Sequence, residues 1–398
     1  MAFGDFTVDR NSTKYVLGSG GTITSYATDE PAFEFNADGS YKGLLVEPAA
    51  TNLCLQSEDI NTTWSPTQST PTQSTEETPD GDTTNKYIKL VDDNVGGAGY
   101  VFISQAITVA ANTKYTASVF LKADGLAFAE LEANDYDGGT DGQQFFGLSG
   151  AGSLGTANNL DDSKIEAYPN GWYRCSITWT QGASDTSFNF RIFVADGIAD
   201  PIVARNGTSS IFVWGAQVET GPIATSYIPT TTASVTRNAD DITLGSASSL
   251  IGQTEGTLYV EVDWRLAKIP PTNQFLLSVN DGTLLNRCVV YHSTSDDELR
   301  MFANANGVNV TNQGVSSTGY SGIQKIAFAY KTDDFELYRN GSSISSDTSG
   351  SLAALATLTD IDLGQLFTAT NQANMHIRAV ALYPKRLSDA EAQALTTL

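Results

Sequence analysis

The sequence predicts an all-β protein built as two antiparallel β-sandwiches and closed by a short C-terminal helix. Three observations lead there. Apolar residues recur with period two in short runs, and turn clusters separate the runs. Of 398 residues only 17% are charged while 35 are glycine, a balance that suits turn-rich sheets better than helices. The alternation stops at Gly221-Pro222 and restarts beyond Asp241, which places a boundary between two cores. The expected organisation is an N-terminal arm (residues 1–53), a first sandwich (54–230), a linker (231–241) and a second sandwich (242–398).

Residues 1–32 carry short apolar fragments among Gly, Ser and Thr, and read as a loose strand or two or an extended arm. A hairpin is expected next, with residues 33–36 and 42–47 flanking Ala37-Asp38-Gly39, because Asp-Gly supplies the positive φ of a tight turn. Residues 62–86 repeat PTQST, at 66–70 and 71–75, and hold almost no apolar residue beyond Trp64. They read as an exposed loop with no core to join.

From residue 86 to 219 strands follow closely. Tyr115, Ala117, Val119 and Leu121 alternate with polar residues, and Phe188, Phe190, Ile192 and Val194 share one face of another strand. Cys175 shares a face with Tyr173, Ile177 and Trp179 and reads as a small core residue. The run 211–219 is apolar on both faces, as in a strand buried between two layers. Beyond it Tyr227-Ile228-Pro229 and a threonine run cannot continue a ladder and are expected to lie extended over a surface.

In the second half, residues 256–265 alternate cleanly, with Leu258, Val260, Val262 and Trp264 on one side and Tyr259, Glu261, Asp263 and Arg265 on the other. Residues 324–339 read as a hairpin turning at 331–334, and Asn340-Gly341 supplies the next turn. Ser388 with Glu391 forms a capping box that opens the final helix.

Two segments carry a resemblance. FEFNADGSYKGLLVEPAATNL (33–53) and WGAQVETGPIATSYIPTTTASVTRNAD (214–240) resemble motifs of phage and prophage virion proteins of the tail-fibre or head-fibre kind. That family more often has a basic residue where Ala50 stands. The strand order of residues 86–219 resembles the jelly rolls of carbohydrate-binding modules. The runs FELYRNGSSISS and HIRAVALYPKRLSDAEAQAL resemble the laminin-G or concanavalin-A-like lectin sandwich, over roughly residues 256–395. The resemblance implies a virion structural protein, with residues 1–53 attaching to the particle and residues 242–398 facing outward.

Three constellations invite chemistry. Trp172, Tyr136 and Phe145 are candidate sugar-stacking residues, since a flat ring with polar neighbours suits a pyranose face. Aromatic residues on sandwich strands also pack cores. Asp135, Asp137 and Asp141 lie in a glycine-rich loop and supply hard oxygen ligands at short spacing, which makes calcium the candidate ion, although the EF-hand spacing is not met. Glu261 and Asp263 resemble the start of the carboxylate pattern of retaining glycosidases on this type of sandwich. The closing Glu is absent, with Arg265, Leu266 and Ala267 in its place, so no catalytic residue is assigned.

The net charge of −23 disfavours nucleic acid and anionic membranes. The first residues hold no apolar run of signal-peptide length, and no apolar stretch is long enough for a membrane-spanning helix. Cys54, Cys175 and Cys288 form no metal or redox motif. The expected function is that of a noncatalytic virion protein: a surface fibre, decoration or tail appendage made in the host cytoplasm. It would be present in several copies, contact other virion proteins and adhere to host glycans. The alternatives are a glycan depolymerase on the second sandwich and an adhesin encoded by a prophage.

Overall fold

The computed structural model describes residues 3–264, 272–367 and 372–398. Its regular structure is almost entirely antiparallel sheet, with one α-helix, Asp389–Thr396, among the described residues. No described helix is long and apolar enough to cross a membrane.

The first sandwich pairs two six-stranded sheets. One runs Ser153–Asn158, Thr140–Gly147, Phe128–Asp137, Ser187–Ala195, Phe102–Thr108 and Ser65–Thr67. The other runs Asp162–Ala167, Trp172–Thr180, Lys114–Ala123, Ser210–Thr220, Lys86–Asp92 and Ser69–Ser74. Leu131, Phe146, Phe190 and Ile192 from one sheet meet Val119, Leu121, Cys175, Ile177 and Trp179 from the other in a single core. The period-two reading of these strands holds, and Cys175 lies in the core as expected.

Strand Ser210–Thr220 is buried on both faces. Ile211 and Val213 enter the sandwich core, while Phe212 and Trp214 join an outer cluster with Ile23, Phe120, Trp172 and Tyr227. A bulge opposite Ser118 and Phe120 then shifts the alternation, so that Ala216 and Val218 return to the core. Gly215 makes the bulge possible: its φ is +66°, and a β-carbon there would stand 2.9 Å from the Phe120 ring.

The second sandwich pairs two seven-stranded sheets. Its first sheet runs Thr7–Asp9, Asp241–Leu244, Asp360–Leu363, Gln274–Asn280, Arg287–Ser293, Glu298–Ala305 and Val308–Ser316. Its second runs Ser342–Asp347, Asp334–Arg339, Gly322–Lys331, Glu255–Trp264, Met375–Tyr383, Tyr41–Val46 and Phe33–Phe35. Leu258, Val260, Val262 and Trp264 face the core as read from the sequence, and Ser388 caps the helix with the expected box. Arg265, expected on the opposite face, lies outside the described residues.

Two expectations are corrected. Residues 1–53 are not an arm. Thr7–Asp9 pairs with Asp241–Leu244, Tyr41–Val46 pairs with Met375–Tyr383, and Phe6, Val8, Leu44 and Val46 enter the second core. The segment looks too poor in apolar residues to fold because the rest of its core begins at Ile242, far along the chain. The first sandwich is therefore an insertion into the second. The linker also contains structure, since Val235–Arg237 pairs with Ala50–Asn52. The second correction concerns residues 62–86. Ser65–Thr67 and Ser69–Ser74 are edge strands, one on each sheet, and Trp64 anchors them in the core. Their side chains are mostly exposed, so no apolar alternation marks them.

Candidate functional site

The two motifs at residues 33–53 and 214–240 meet where the sandwiches join. Asn52 clasps them together: its side-chain amide donates to the carbonyls of Ala216 and Ile228, and its Oδ1 accepts from the amides of Val218 and Cys54. Glu219 is fully buried and accepts from the Thr225 amide (2.9 Å), the Thr225 hydroxyl (2.7 Å) and Gln217 (2.6 Å). Burial pushes its carboxyl up, and these hydrogen bonds draw it back. The Ser226 amide donates to Glu47, and the Ile228 amide donates to Gln217. The extended segment expected over a surface is thus pinned along its length.

A charged cluster lies beneath it. Asp240 accepts from Lys14 Nζ (2.6 Å) and pairs with Arg10 (3.1 Å), and Lys14 also reaches Glu47 at 3.1 Å. Arg237 stands 3.6 Å from Glu47. Burial opposes the charge on Glu47, but Lys14 and Arg237 hold its carboxyl well below the usual range. The cations also donate to backbone carbonyls, Lys14 to Leu45, Arg10 to Ala27 and Glu30, and Arg237 to Pro48. These bonds compensate much of the desolvation that makes buried charges costly.

Pinning residues 222–228 and the hairpin Lys14–Leu17/Ile23–Tyr26 against the first sandwich leaves a cleft between them. Its volume is about 120 Å³. The floor is the outer face of strands Asp162–Ala167 and Trp172–Thr180, which presents Lys164, Arg174, Ser176 and Thr178. Tyr15 and Tyr168, both half-buried, contribute aromatic wall, and the second sandwich contributes Glu34, Leu45 and Asn374. One polar atom here, Arg174 Nε, is buried without a hydrogen-bond partner, while the Ser226 side chain engages Glu47.

The residues singled out in the sequence lie elsewhere and are not brought together. Trp172 is 1% exposed, donates to the Glu77 carbonyl and packs in the outer cluster behind the cleft, so it offers no stacking face. Phe145 is also buried, and Tyr136 is half-buried with its hydroxyl on the Asn159 carbonyl. Asp141 Oδ1 accepts from the Asp135 amide and from Asn134, which closes the acidic loop on itself. Among the described residues no three His, Cys, Asp or Glu side chains are grouped to hold a metal ion, so Asp135, Asp137 and Asp141 do not form such a group. Glu261 is taken by Arg378 (2.8 Å) and by the Tyr259 hydroxyl (3.3 Å). Sequence reading missed the cleft. Its one signal was the polar set Arg174, Ser176 and Thr178 alternating with Tyr173, Cys175 and Ile177, and nothing local says that a distant segment covers that face.

No family model and no curated protein matches the sequence. Among solved structures, the CBM40 module of a Ruminococcus gnavus IT-sialidase is 17% identical over 38% of this chain and 86% of its own, with a TM-score of 0.32. A botulinum neurotoxin type C structure, described by its interaction with two ganglioside molecules, is 10% identical over 40% of each chain, with a TM-score of 0.34. A heptameric SAP-like pentraxin from Limulus polyphemus is 12% identical over 36% of this chain and 70% of its own, with a TM-score of 0.29.

Proposed function

We propose that this chain is a noncatalytic adhesion protein that binds a glycan in the cleft between its two sandwiches and serves on the surface of a phage particle. The supporting observation is the cleft itself. Aromatic walls, Tyr15 and Tyr168, stand over a polar strand face that presents Lys164, Ser176 and Thr178. Sugars present hydroxyls and C–H faces together, which is the chemistry such a wall and floor accept. Display of several copies on a particle raises avidity without requiring a tight single site. The virion role, as fibre, decoration or tail appendage, rests on the motifs at 33–53 and 214–240. The depolymerase alternative has less behind it, because Glu261 is engaged by Arg378 and Tyr259.

A glycan array followed by titration of the best ligand tests the adhesion reading. Tyr168→Ala, which removes a half-buried ring from the cleft wall, should weaken binding about tenfold while the protein stays folded. Unchanged affinity, or release of reducing ends on incubation with polysaccharide, refutes it. Immunogold labelling of particles tests the virion role separately.

A further inference from the structure

We propose that the far end of the second sandwich is a lipid-contacting tip, which inserts Leu284, Leu285 and Val308 into the interfacial layer of a zwitterionic bilayer. The tip is separate from the cleft and does not depend on what the cleft binds.

Three segments build the tip: residues 282–286, 305–308 and 351–357. Their sequences, GTLLN, ANGV and SLAALAT, hold no charged residue, in a chain whose net charge is −23. Asn286 clasps them together. Its Oδ1 accepts from the amides of Asn306 (2.8 Å) and Ala356 (3.0 Å), and its Nδ2 donates to Asp281 (2.7 Å). The other oxygen of Asp281 accepts from the Thr283 amide and hydroxyl. Arg287, on the opposite flank, lies over the Phe302 ring at 4.9 Å. On this scaffold Leu284, Leu285 and Val308 are 48%, 52% and 66% exposed, and Ala353, Ala354 and Ala356 of the third segment are exposed too. Strand Gln274–Asn280 sets the distance from the cleft. At its start Gln274 accepts from the amide of Asn374, a cleft residue; at its end, about 20 Å further on, Asn280 receives the Gly282 amide and opens the tip.

Hydrogen bonds thus hold apolar side chains out in water, and an exposed apolar patch marks a place of contact. The backbone beneath them is already satisfied. The Leu284 carbonyl accepts from Asn304 (3.4 Å), the Leu285 amide donates to Thr283 Oγ1 (3.1 Å), and the Leu285 carbonyl accepts from the Gly307 amide (2.8 Å). Asn306 and Gly307, both at positive φ, close the tight turn that presents Val308. Hydrocarbon offers no hydrogen bonds, so a segment enters it only when its polar groups are met internally. The composition also favours lipid over protein. Protein hot spots draw on Trp, Tyr and Arg, and Leu and Val are under-represented there. The three segments contain no Trp, Tyr or Arg. Burial in lipid scales with apolar area and needs no matched charge. An anionic bilayer repels so acidic a chain, which leaves a zwitterionic one as the fitting surface.

Vesicle flotation of the full chain tests this, with phosphatidylcholine vesicles and with vesicles of equal parts phosphatidylcholine and phosphatidylglycerol. The chain should float with the first and less with the second at low salt. Leu284→Ser combined with Leu285→Ser should weaken partition into phosphatidylcholine about tenfold or more. Both side chains are exposed, so melting curves should show the double variant folded as before. Should it fail to fold, Val308→Ser makes the same comparison from another segment. Tyr168→Ala, at the cleft, should leave flotation unchanged. No flotation of the full chain, or flotation indifferent to the leucine substitutions, overturns the lipid contact and leaves glycan adhesion standing. A dimer in sedimentation velocity that the double variant loses, without flotation, assigns the tip to a second copy of the chain and overturns the lipid contact as well.

Discussion

At the scale of single residues, charge burial governs what this protein tolerates. Glu130 is 1% exposed, and burial, with Glu132 as a neighbour, pushes its carboxyl up to about 8 against the pull of Arg191. In the unfolded chain a glutamate titrates near 4.3. Between those values the folded protein binds the extra proton, so Glu130 lowers stability progressively as pH rises and adds no further loss above about 8. Glu130→Gln should therefore be nearly neutral at pH 4 and should stabilise by a few kcal/mol at pH 8.5, measured by urea denaturation at both values. A gain independent of pH would contradict the burial account. Lys14 behaves in the opposite sense. Its removal leaves Asp240 with Arg10 alone and Glu47 with the more distant Arg237. Lys14→Met should cost about 3–5 kcal/mol, read as a fall in the denaturation midpoint. None of these pairings was legible in the sequence, because Arg10, Lys14, Glu47 and Asp240 become neighbours only through long-range strand pairing. The capping box at Ser388 was legible because both its partners lie within four residues.

At the scale of elements, legibility followed burial. Strands with one face in a core announced themselves by alternation, as at Leu258–Val260–Val262 and Phe188–Phe190–Ile192. The PTQST strands did not, because they lie at sheet edges with most side chains in water. Their prolines have a physical role there. Pro66 stands opposite Ile103, and Pro71 stands opposite Leu90. A proline has no amide to donate, so each blocks the addition of a further strand at its edge. Pro66→Val together with Pro71→Val should leave the fold intact and raise self-association, visible in sedimentation velocity; a strictly monomeric double variant would remove this role. Deleting residues 65–74 has a different consequence. It strips an edge strand from each sheet of the first sandwich, so the melting temperature should fall by several degrees rather than stay level.

At the scale of the whole molecule, the tandem division suggested by the break at Gly221-Pro222 gives way to an insertion. The break is real, but the first sandwich leaves and rejoins the second at one place: the Leu53 amide donates to the Val218 carbonyl at 2.8 Å. Local periodicity cannot reveal this, since pairing of Tyr41–Val46 with Met375–Tyr383 leaves no mark on either strand alone. The consequence for truncation is specific. Residues 242–398 expressed alone lack Thr7–Asp9, Phe33–Phe35 and Tyr41–Val46, so strand Met375–Tyr383 loses its outer neighbour and the core loses Phe6, Val8, Leu44 and Val46. Those four side chains together bury enough apolar surface to contribute on the order of 6–12 kcal/mol, comparable with the whole stability of a domain. The fragment should therefore be unfolded or aggregated. A chain in which residues 54–218 are replaced by a short Gly-Ser linker keeps every strand of the second sandwich and spans only the gap already closed by the Leu53–Val218 hydrogen bond. It should fold, with cooperative melting and an antiparallel-sheet circular dichroism spectrum. It should also lose all glycan binding, since the cleft floor goes with the excised sandwich. A folded, stable 242–398 fragment alongside an unfolded excision variant would restore the tandem arrangement and refute the insertion.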